Sequence, residues 1–429
     1  MHNKIVFLAY YHKQNFYSFN AIIGALETCK DLKDLTICFA RDSRNLIQEL
    51  ESIILNYEII IVGISFFTTQ LFETRDLIIL LRKKFKDKCF LIAGGPHPTG
   101  DPLGTLKLGF DVSFVGEGEE IIIDLIKTID TNGDFRNIKG IAYFNDSHEY
   151  IYTGKRKPID LDKYPPFPTK NRRFGAIEIT RGCPHVCYFC QIPFIFGAAP
   201  RHRTVDIICK YVKKLKDYYG DLTDIRYITP NAFSYGSKDG ITLELQKVEE
   251  LLSKTRLIIG EKGRIYFGTF PSEVRPEHVT QETLNLILKY ANNDNITIGA
   301  QSGSQKILDM CHRGHTVEDV YKAVELTVNM NLKVNVDFIF GLPEETESDI
   351  FSTIEMMKDL AKLGARIHAH FFIPLPQTPF ARVSISRMNQ MAKKEVNSLI
   401  SKGLAFGDWK KQERLALKVS QYFKNSEKI

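Results

Sequence analysis

Short apolar runs rich in β-branched and aromatic residues alternate with helical patterns along most of the chain. The first five runs are KIVFLAYY, LTICFA, EIIIVGISF, CFLIAGG and VSFVG, and stretches with helical spacing of apolar residues separate them. Parallel strands need long crossover connections, usually helices, so this alternation favours a parallel sheet covered on both faces. Five such strands in succession predict a flavodoxin-like, doubly wound α/β domain over residues 1–135.

Small and polar residues follow three of these runs. They are Ser65 and Thr68, then Gly94, Gly95 and His97, and then Gly116, Glu117 and Gly118. Ligands of doubly wound domains bind beyond the carboxyl ends of the strands, and glycine lets a large planar ligand approach the backbone. The alternative is that these are ordinary tight turns between strand and helix.

The alternation stops between residues 136 and 173. IAYFNDSHEYIYTG is typical of a small hairpin, and the segment after it contains Pro165, Pro166 and Pro168, which exclude regular structure there. We interpret residues 136–173 as a hairpin and a proline-rich linker between two domains.

Three closely spaced cysteines follow the linker, in the sequence Cys183-Pro-His-Val-Cys187-Tyr-Phe-Cys190. Three thiolates leave one iron of a four-iron cubane without a protein ligand, and a catalytic metal site needs such an open position. Structural zinc sites usually have four protein ligands, and no other cysteine pair here has the spacing of a zinc knuckle. We predict that these three cysteines hold a [4Fe–4S] cluster, that His185 only fills the loop, and that the other five cysteines are core residues.

Beyond the cysteines the chain alternates again. With the strand before Cys183, the runs DIRYITPN, GRIYFGTFP, NITIGAQSGS, LKVNVDFIFGLP and RIHAHFFIPLP make six strand–helix units. Six units predict a partial (β/α)6 barrel over residues 174–385, with its chemistry at the carboxyl ends of the strands, and a helical segment over 386–429. Polar or glycine residues expected near those ends include Asn231, Glu273, Gln301, Asp337 and Gly341.

Several of these motifs resemble a known family. VGISFFT, AGGPHPT and FVGEGEE are similar in order and spacing to the B12-binding domain that precedes many radical S-adenosylmethionine (SAM) domains. Cys-x-x-x-Cys-x-x-Cys is the radical SAM signature. The motifs IGAQSGS, RGHT, DFIFGLPEET and PLPQTP resemble the radical SAM group that includes methylthiotransferases and B12-dependent members. The chain is therefore identified as resembling the cobalamin-binding, class B methyltransferase-like radical SAM enzymes.

The resemblance implies a role for each candidate residue. Ser65, Thr68, Gly94, Gly95, His97, Gly116, Glu117 and Gly118 would bind cobalamin, and Tyr188, Phe189, Asn231, Glu273, Gln301, Arg313, Asp337 and Gly341 would surround SAM. Arg313 is expected to pair with the SAM carboxylate, and Gly341 to pack against adenine. Asn231 stands in a Thr-Pro-Asn segment where the family usually has Gly-Gly-Glu. His12 lacks the Asp and Gly that accompany a lower cobalt ligand in many B12 domains, so we expect it to be a surface loop residue.

The amino-acid composition limits the class of protein, its cellular location and its partners. The 429 residues are 44% hydrophobic and 25% charged, which is typical of a globular protein. A net charge of +6 spread along the chain does not by itself indicate nucleic acid. No apolar run reaches the ~18 residues of a membrane helix. We expect a cytoplasmic protein with free thiols, bound neither to membrane nor to nucleic acid.

These observations predict an enzyme that cleaves SAM with its cluster and, with cobalamin, methylates an unactivated carbon. The substrate is expected to be a small molecule or peptide of unknown identity, and the electron donor a ferredoxin or flavodoxin. One alternative is radical rearrangement, cyclisation or oxidation without methyl transfer. The others are methylthio transfer to RNA and a non-catalytic iron–sulfur carrier.

Overall fold

The computed structural model describes residues 5–425. The chain divides into two compact units, residues 1–175 and 176–429. Within the described residues no helix combines the length and apolarity needed to cross a membrane.

A seven-stranded sheet forms the centre of the first unit, in the order β2-β1-β3-β4-β5-β6-β7. The first five strands are parallel, and β6 and β7 are antiparallel to their neighbours. The strands are β1 (Ile5–Tyr10), β2 (Thr36–Ala40), β3 (Ile59–Ser65), β4 (Phe90–Gly94), β5 (Val112–Phe114), β6 (Ile141–Phe144) and β7 (Tyr150–Tyr152). The five predicted strands are present, in the flavodoxin-like order 2-1-3-4-5.

The hairpin assigned above to the linker belongs to this sheet. Ser113 and Phe114 of β5 pair with Ala142 and Ile141 of β6, and both of these β6 residues are fully buried. The sequence around Ile141 alternates too weakly to reveal this pairing, which covers the otherwise open edge of β5.

In the described part of the first unit, from residue 5 onward, six α-helices connect the strands. They are α1 (Phe16–Thr28), α2 (Ser43–Ile53), α3 (Leu71–Phe85), α4 (Pro96–Gly100), α5 (Pro102–Lys107) and α6 (Glu119–Asp130). Apolar residues of β1, α1 and α6 form one continuous core cluster with β5 and β6. The short helix α4 occupies a stretch that the sequence suggested was a turn.

The proline-rich segment is tied back onto α1 by one carboxylate. Glu27 accepts hydrogen bonds from the backbone N–H groups of Thr169, Lys170 and Asn171, at 2.7, 3.0 and 2.8 Å. The amide of Asn171 donates a fourth bond, at 2.9 Å. A segment without regular structure is thereby held in a single path.

Parallel strands form the wall of the second unit. The strands are β8 (Ile177–Glu178), β9 (Thr180–Arg181), β10 (Arg201–His202), β11 (Asp224–Ile228), β12 (Arg264–Tyr266), β13 (Asn295–Gln301), β14 (Lys333–Phe340), β15 (Arg366–Phe371) and β16 (Ala405–Phe406). One sheet has the order β12-β11-β8 and another β13-β14-β15-β16, while β9 and β10 pair antiparallel. A parallel bridge between Val274 and Ile298 joins the segment after β12 to β13. The six predicted strand positions are therefore present, and the two-residue strand β16 adds a seventh.

Between residues 176 and 425 the structure contains nine α-helices. They are α7 (Ile192–Phe196), α8 (Val205–Tyr219), α9 (Leu245–Ile259), α10 (Gln281–Tyr290), α11 (Gln305–Met310), α12 (Val317–Asn329), α13 (Glu347–Lys362), α14 (Gln390–Ser401) and α15 (Trp409–Asn425).

Three of these helices begin with a reciprocal threonine cap. Thr280, Thr316 and Thr346 each accept a hydrogen bond from the N–H group three residues on, and the side chain there accepts one in return. Such caps satisfy donors that a helix start leaves unpaired. They fix where the loops after the neighbouring strands end.

Candidate functional site

In the first unit, open space adjoins the carboxyl ends of β4 and β5. A side-chain carbon added at Gly94 or Gly116 would meet no atom within 4 Å. A carbon added at Gly95, whose φ is +95°, would lie 2.6 Å from Ser65 Oγ. These glycines leave the strand edge accessible to a flat ligand.

Thr68 and His97 lie beneath this edge rather than on it. His97 is fully buried, and its Nδ1 lies 3.0 Å from Thr68 Oγ1. Burial lowers the pKa of His97 to about 4, so the ring is neutral. A direct contact of His97 with a ligand stays a prediction, because its observed contact is Thr68.

Glu117 and Gly118 serve the structure around the loop after β5. The Glu117 carboxylate accepts a hydrogen bond from the N–H of Ile159, at 2.7 Å. A carbon at Gly118 would lie 2.6 Å from the Ile22 side chain, so glycine permits α1 to pack closely there. Neither arrangement tests their predicted contact with cobalamin.

Several buried polar atoms near the ends of β1 and β3 have no hydrogen-bond partner. They are His12 Nδ1, Asn15 Oδ1, Asn20 Nδ2 and Ser65 Oγ. Buried groups of this kind are normally paired, so unpaired ones indicate a ligand with donors and acceptors. The corrin of cobalamin carries amide groups on its periphery, and these residues fit such a ligand.

Sequence reasoning missed Asn15 and Asn20. Asn15 also donates to the Ser65 backbone oxygen at 2.5 Å, and Asn20 accepts from the Tyr11 hydroxyl at 2.6 Å. The available signal was an asparagine within the apolar face of α1, where a polar residue needs a reason.

In the second unit, the three cysteines occupy the loop between β9 and α7. The N–H of Cys183 donates to Gly197 O at 3.2 Å, and that of Cys190 to Cys187 O at 3.0 Å. Gly182 has a φ of +89°, and a side-chain carbon there would overlap the carbonyl oxygen of Ala199. Glycine is therefore required immediately before the first cysteine.

The sulfurs are not arranged as a compact zinc site. Among the described residues, one set of three potential ligands has all its atoms within 4.8 Å of one another, and it does not include these cysteines. Tetrahedral zinc with Zn–S bonds of about 2.3 Å would bring sulfurs to about 3.8 Å from each other. At least one pair of these sulfurs is therefore too far apart for tetrahedral zinc, and three cysteine donors fit a cluster with several irons.

Buried positive charge adjoins the cysteines. Arg313 Nη1 lies 3.6 Å from Cys187 Sγ, and Arg313 Nη2 donates to Gly299 O at 2.9 Å. Burial raises the pKa of Cys183, whereas Arg275 and Arg313 act in the opposite direction. Burial also raises the pKa of Cys190, to about 12. The two arginines compensate part of the cost of placing anionic sulfur ligands in the interior.

Glu273, Gln301 and Arg313, three of the predicted SAM residues, converge around Gly299. A carbon at Gly299 would lie 2.6 Å from Gln301 Nε2, 2.7 Å from Arg313 Nη2 and 3.1 Å from Glu273 Oε2. Burial raises the pKa of Glu273, and Arg313 opposes the shift. Glu273 nevertheless keeps partial exposure, as expected for a side chain beside an internal space.

Arg275 was not predicted and belongs to the same group. It donates through Nε to Glu277 and through Nη2 to Arg313 O at 2.5 Å, while Nη1 has no partner. An unpaired buried guanidinium nitrogen next to the cysteines fits an anionic ligand. No sequence motif separates Arg275 from other arginines.

The side chain of Asn231 is hydrogen-bonded to other residues of the protein. Its Nδ2 lies 2.6 Å from His278 Nδ1, and its Oδ1 accepts from the N–H of Arg275 at 3.2 Å. It also lines a recess of about 230 Å³, part of it open to solvent, together with Cys183 and His185. His185 Nε2 is buried without a partner.

Tyr188 and Phe189 pack beside the loop. Tyr188 stacks on His312 with ring centroids 5.3 Å apart and meets Phe380 edge-on. Both aromatic residues border an apolar cluster that includes Leu342. This cluster separates part of the cysteine loop from water.

Gly341 and Asp337 lie on or just after β14. Gly341 has a φ of +79°, and a side-chain carbon there would overlap the ring of Phe371. Its N–H donates to Glu345 Oε2 at 2.7 Å. Asp337 Oδ1 instead lies 3.1 Å from His368 Nδ1, on the neighbouring strand.

Family models match parts of both units. Residues 177–357 match the model of the Radical SAM superfamily, and residues 18–126 match that of the B12 binding domain. An uncharacterized methyltransferase of Pyrococcus horikoshii is 24% identical over 324 residues, which cover 73% of this chain and 67% of that protein. A tRNA-2-methylthio-N(6)-dimethylallyladenosine synthase of Finegoldia magna is 27% identical over 251 residues, or 57% and 52% of the two chains.

A solved structure shares the fold of both units. It is the radical S-adenosylmethionine methyltransferase TsrM from Kitasatospora setae, with cobalamin and a [4Fe–4S] cluster bound. The TM-score is 0.66 at 15% identity, covering 88% of this chain and 77% of that one.

The fold and the cysteine loop define a radical SAM enzyme. More particularly, this chain belongs to the radical SAM enzymes that carry a B12-binding domain at the N-terminal side. The radical SAM domain implies a [4Fe–4S] cluster and SAM, and the B12-binding domain implies cobalamin.

Proposed function

We propose that this enzyme transfers a methyl group to an unactivated carbon of a small molecule or peptide. The observation that carries the proposal is one chain with a three-cysteine cluster loop and a B12-binding domain. When bound, the cluster and SAM supply a 5′-deoxyadenosyl radical, and cobalamin supplies a methyl carrier.

The protein's own residues would bind and orient these groups. Cys183, Cys187 and Cys190 would hold the cluster, and three ligands leave one position for the amino and carboxylate groups of SAM. The buried guanidinium groups of Arg275 and Arg313 stabilise negative charge at that position. Glu273 and Gln301, beside Gly299, are placed to bind SAM from the strand end.

The first unit would have a separate task. The space beyond Gly94 and Gly116 would accommodate a flat ring, and Asn15 Oδ1 and Asn20 Nδ2, which have no partner, would form hydrogen bonds to its edge. The loop after β1 holds His12 without an adjacent acidic residue, so we propose that no histidine of this loop ligates cobalt.

Methylthio transfer to RNA is the alternative that several relatives raise. The cysteines of the first unit, Cys29, Cys38 and Cys89, are widely separated in sequence and form no potential metal-binding set within residues 5–425. The absence of a second cysteine set from these residues favours carbon methylation.

The proposal extends to the cellular compartment and the electron donor of the enzyme. A cluster with an open iron requires a reducing compartment, which we take to be the cytoplasm. We propose a ferredoxin or flavodoxin as electron donor, and no role for membrane or nucleic acid.

The test uses the full chain, reconstituted without oxygen with iron, sulfide and cobalamin. It is incubated with a reductant, SAM bearing a deuterated methyl group, and the low-molecular-mass and peptide fractions of a cell extract. We expect 5′-deoxyadenosine, S-adenosylhomocysteine and a product heavier by one deuterated methyl group, none of which a Cys183→Ala variant should form.

Other outcomes separate the alternatives. A new product with 5′-deoxyadenosine but without the label would indicate rearrangement, cyclisation or oxidation. A protein that binds the cluster and SAM but never forms 5′-deoxyadenosine would be an iron–sulfur carrier, and the proposal would be wrong.

A further inference from the structure

Two histidines and one carboxylate lie together on neighbouring strands of the second unit. Asp337 of β14 is the register partner of His368 of β15, and His370 lies two residues further along the same strand. Alternate residues of a strand share a face, so His368 and His370 are on the same side. All three side chains are partly exposed, and their potential ligand atoms all lie within 4.8 Å of one another.

Two of the distances between these potential ligand atoms match those between neighbouring ligands of one metal ion. His368 Nδ1 lies 3.1 Å from Asp337 Oδ1 and 3.0 Å from His370 Nε2. Adjacent ligands of an octahedral ion with bonds of about 2.1 Å are separated by about 3.0 Å. Two imidazoles and one carboxylate are a donor set typical of divalent first-row transition ions, with other positions left open.

Hydrogen bonds alone do not account for these contacts. The N–H of Phe371 donates to Gln412 Oε1 at 2.8 Å, which turns Gln412 Nε2 towards His370 Nδ1, 3.4 Å away. This orientation of Gln412 favours the His370 tautomer with its proton on Nε2, which would donate to the lone pair of His368 Nδ1. The oxygen of Asp337 faces that same lone pair, so two acceptors oppose each other at 3.1 Å.

The surrounding residues hold the ligands in place. Phe406 of β16 stacks on His368, with centroids 4.3 Å apart and planes 7° from parallel, and the guanidinium carbon of Arg366 lies 4.4 Å from the centroid of Phe406. A side-chain carbon at Gly407 would overlap the Ala369 carbonyl oxygen, so glycine allows β16 to approach β15 this closely.

We propose that Asp337, His368 and His370 form a binding site for one divalent first-row transition ion, distinct from the cysteine cluster. Asp337 was expected from the sequence to contact SAM, and this site gives it another task. The two histidines were not singled out, although His-x-His within a strand signals two rings on one face. Open coordination positions would accept oxygen or nitrogen atoms of a ligand.

Gln412 provides a sharp test of the proposal. A metal on His370 Nε2 moves the ring proton to Nδ1, where it meets the amide nitrogen of Gln412 instead of an acceptor. Glutamate at this position would accept that proton, as carboxylates do for many metal-bound histidines. We therefore expect Gln412→Glu to bind the ion about 10- to 100-fold more tightly than the native chain.

The experiment is an equilibrium dialysis of the reconstituted full chain against zinc, with zinc and iron measured in the same sample. We expect one zinc per chain, with the cluster iron unchanged. His368→Ala and His370→Ala should weaken zinc binding at least about 100-fold, whereas His148→Ala, which removes an exposed histidine of the first unit, should not.

Circular dichroism and cluster iron identify variants that fail to fold, and Gln412→Glu then remains as an independent test. The proposal is wrong if the folded native chain binds no zinc, if binding persists in both alanine variants, or if Gln412→Glu does not tighten it. SAM cleavage measured on the same preparation reports separately on the proposed function.

Discussion

At the scale of single residues, local geometry around the cysteines dictates which side chains are tolerated. Gly182 and Gly197 both have a φ of +89°, but only Gly182 lacks room for a side-chain carbon. Substitutions at these two glycines therefore distinguish the effect of backbone strain from that of steric overlap. Neither position differs from other glycines in the sequence alone.

We expect Gly182→Ala to reduce cluster iron strongly, because overlap with Ala199 O displaces the loop that carries Cys183. Gly197→Ala suffers backbone strain alone, about 1–3 kcal/mol, and should retain most of its iron. Iron analysis and the visible absorbance of the reconstituted variants provide the measurement. Equal iron loss in both variants would contradict the steric explanation.

The buried carboxyl group of Glu345 should make the stability of the folded chain depend on pH. Burial raises its pKa from 4.5 to about 8, so between these values the folded chain binds more protons than the unfolded chain. Stability should then fall as the pH rises through this window and change no further above it. Glu345→Gln removes the titrating group.

At pH 9 we expect Glu345→Gln to melt about 2–4 °C above the native chain, with a smaller difference at pH 5. The exposed neighbour Glu344 serves as the control, since Glu344→Gln should leave the melting curve nearly unchanged at both values. Thermal unfolding followed by circular dichroism measures both. A native melting temperature that is independent of pH between 5 and 9 would count against the buried carboxyl.

At the scale of secondary structure, the elements that the sequence predicts are those with strong local patterns. β3, β13 and β14 are apolar and bounded by turn residues, so their positions were predictable. The two-residue strand β16 and the pairing of β6 with β5 were not, because they depend on distant partners. Asn15 and Arg275 were missed for the same reason, because their roles depend on contacts with residues far away in sequence.

The linker offers a test at this scale. Glu27→Ala removes five hydrogen bonds from residues 169–171, which belong to no helix or strand. We expect trypsin to cleave after Lys170 or Arg172 markedly faster in this variant. Glu51→Ala, an exposed glutamate on α2, should be cleaved at the native rate. Unchanged cleavage in Glu27→Ala would mean that other contacts fix the segment.

At the scale of the whole molecule, the two sets of predicted ligand-binding residues fall in two compact units. The cysteines, Arg313 and Gln301 all belong to residues 176–429, while the strand edge with Gly94 and Ser65 belongs to residues 1–175. The alternation of strands and helices predicted both units, and the cysteine spacing predicted the chemistry of the second. No pattern in the sequence identifies the substrate in a comparable way.

This division predicts that each cofactor can be lost alone. Replacing Cys183, Cys187 and Cys190 with alanine should abolish iron binding but preserve cobalamin uptake. Gly94→Phe fills open space at the strand edge and should abolish cobalamin uptake but preserve iron, while Gly94→Ala has a smaller effect. Absorption spectra and metal analysis of each variant give both quantities. Loss of both cofactors in a folded variant would contradict this separation.

The reciprocal threonine caps have a practical consequence. Thr280, Thr316 and Thr346 anchor the helix starts independently of the loop residues that precede them. Substitutions in these segments that spare Arg275, Arg313 and Gly341 should therefore leave the register of the helix behind them unchanged. Such positions are suitable places to engineer a new specificity while the scaffold stays intact.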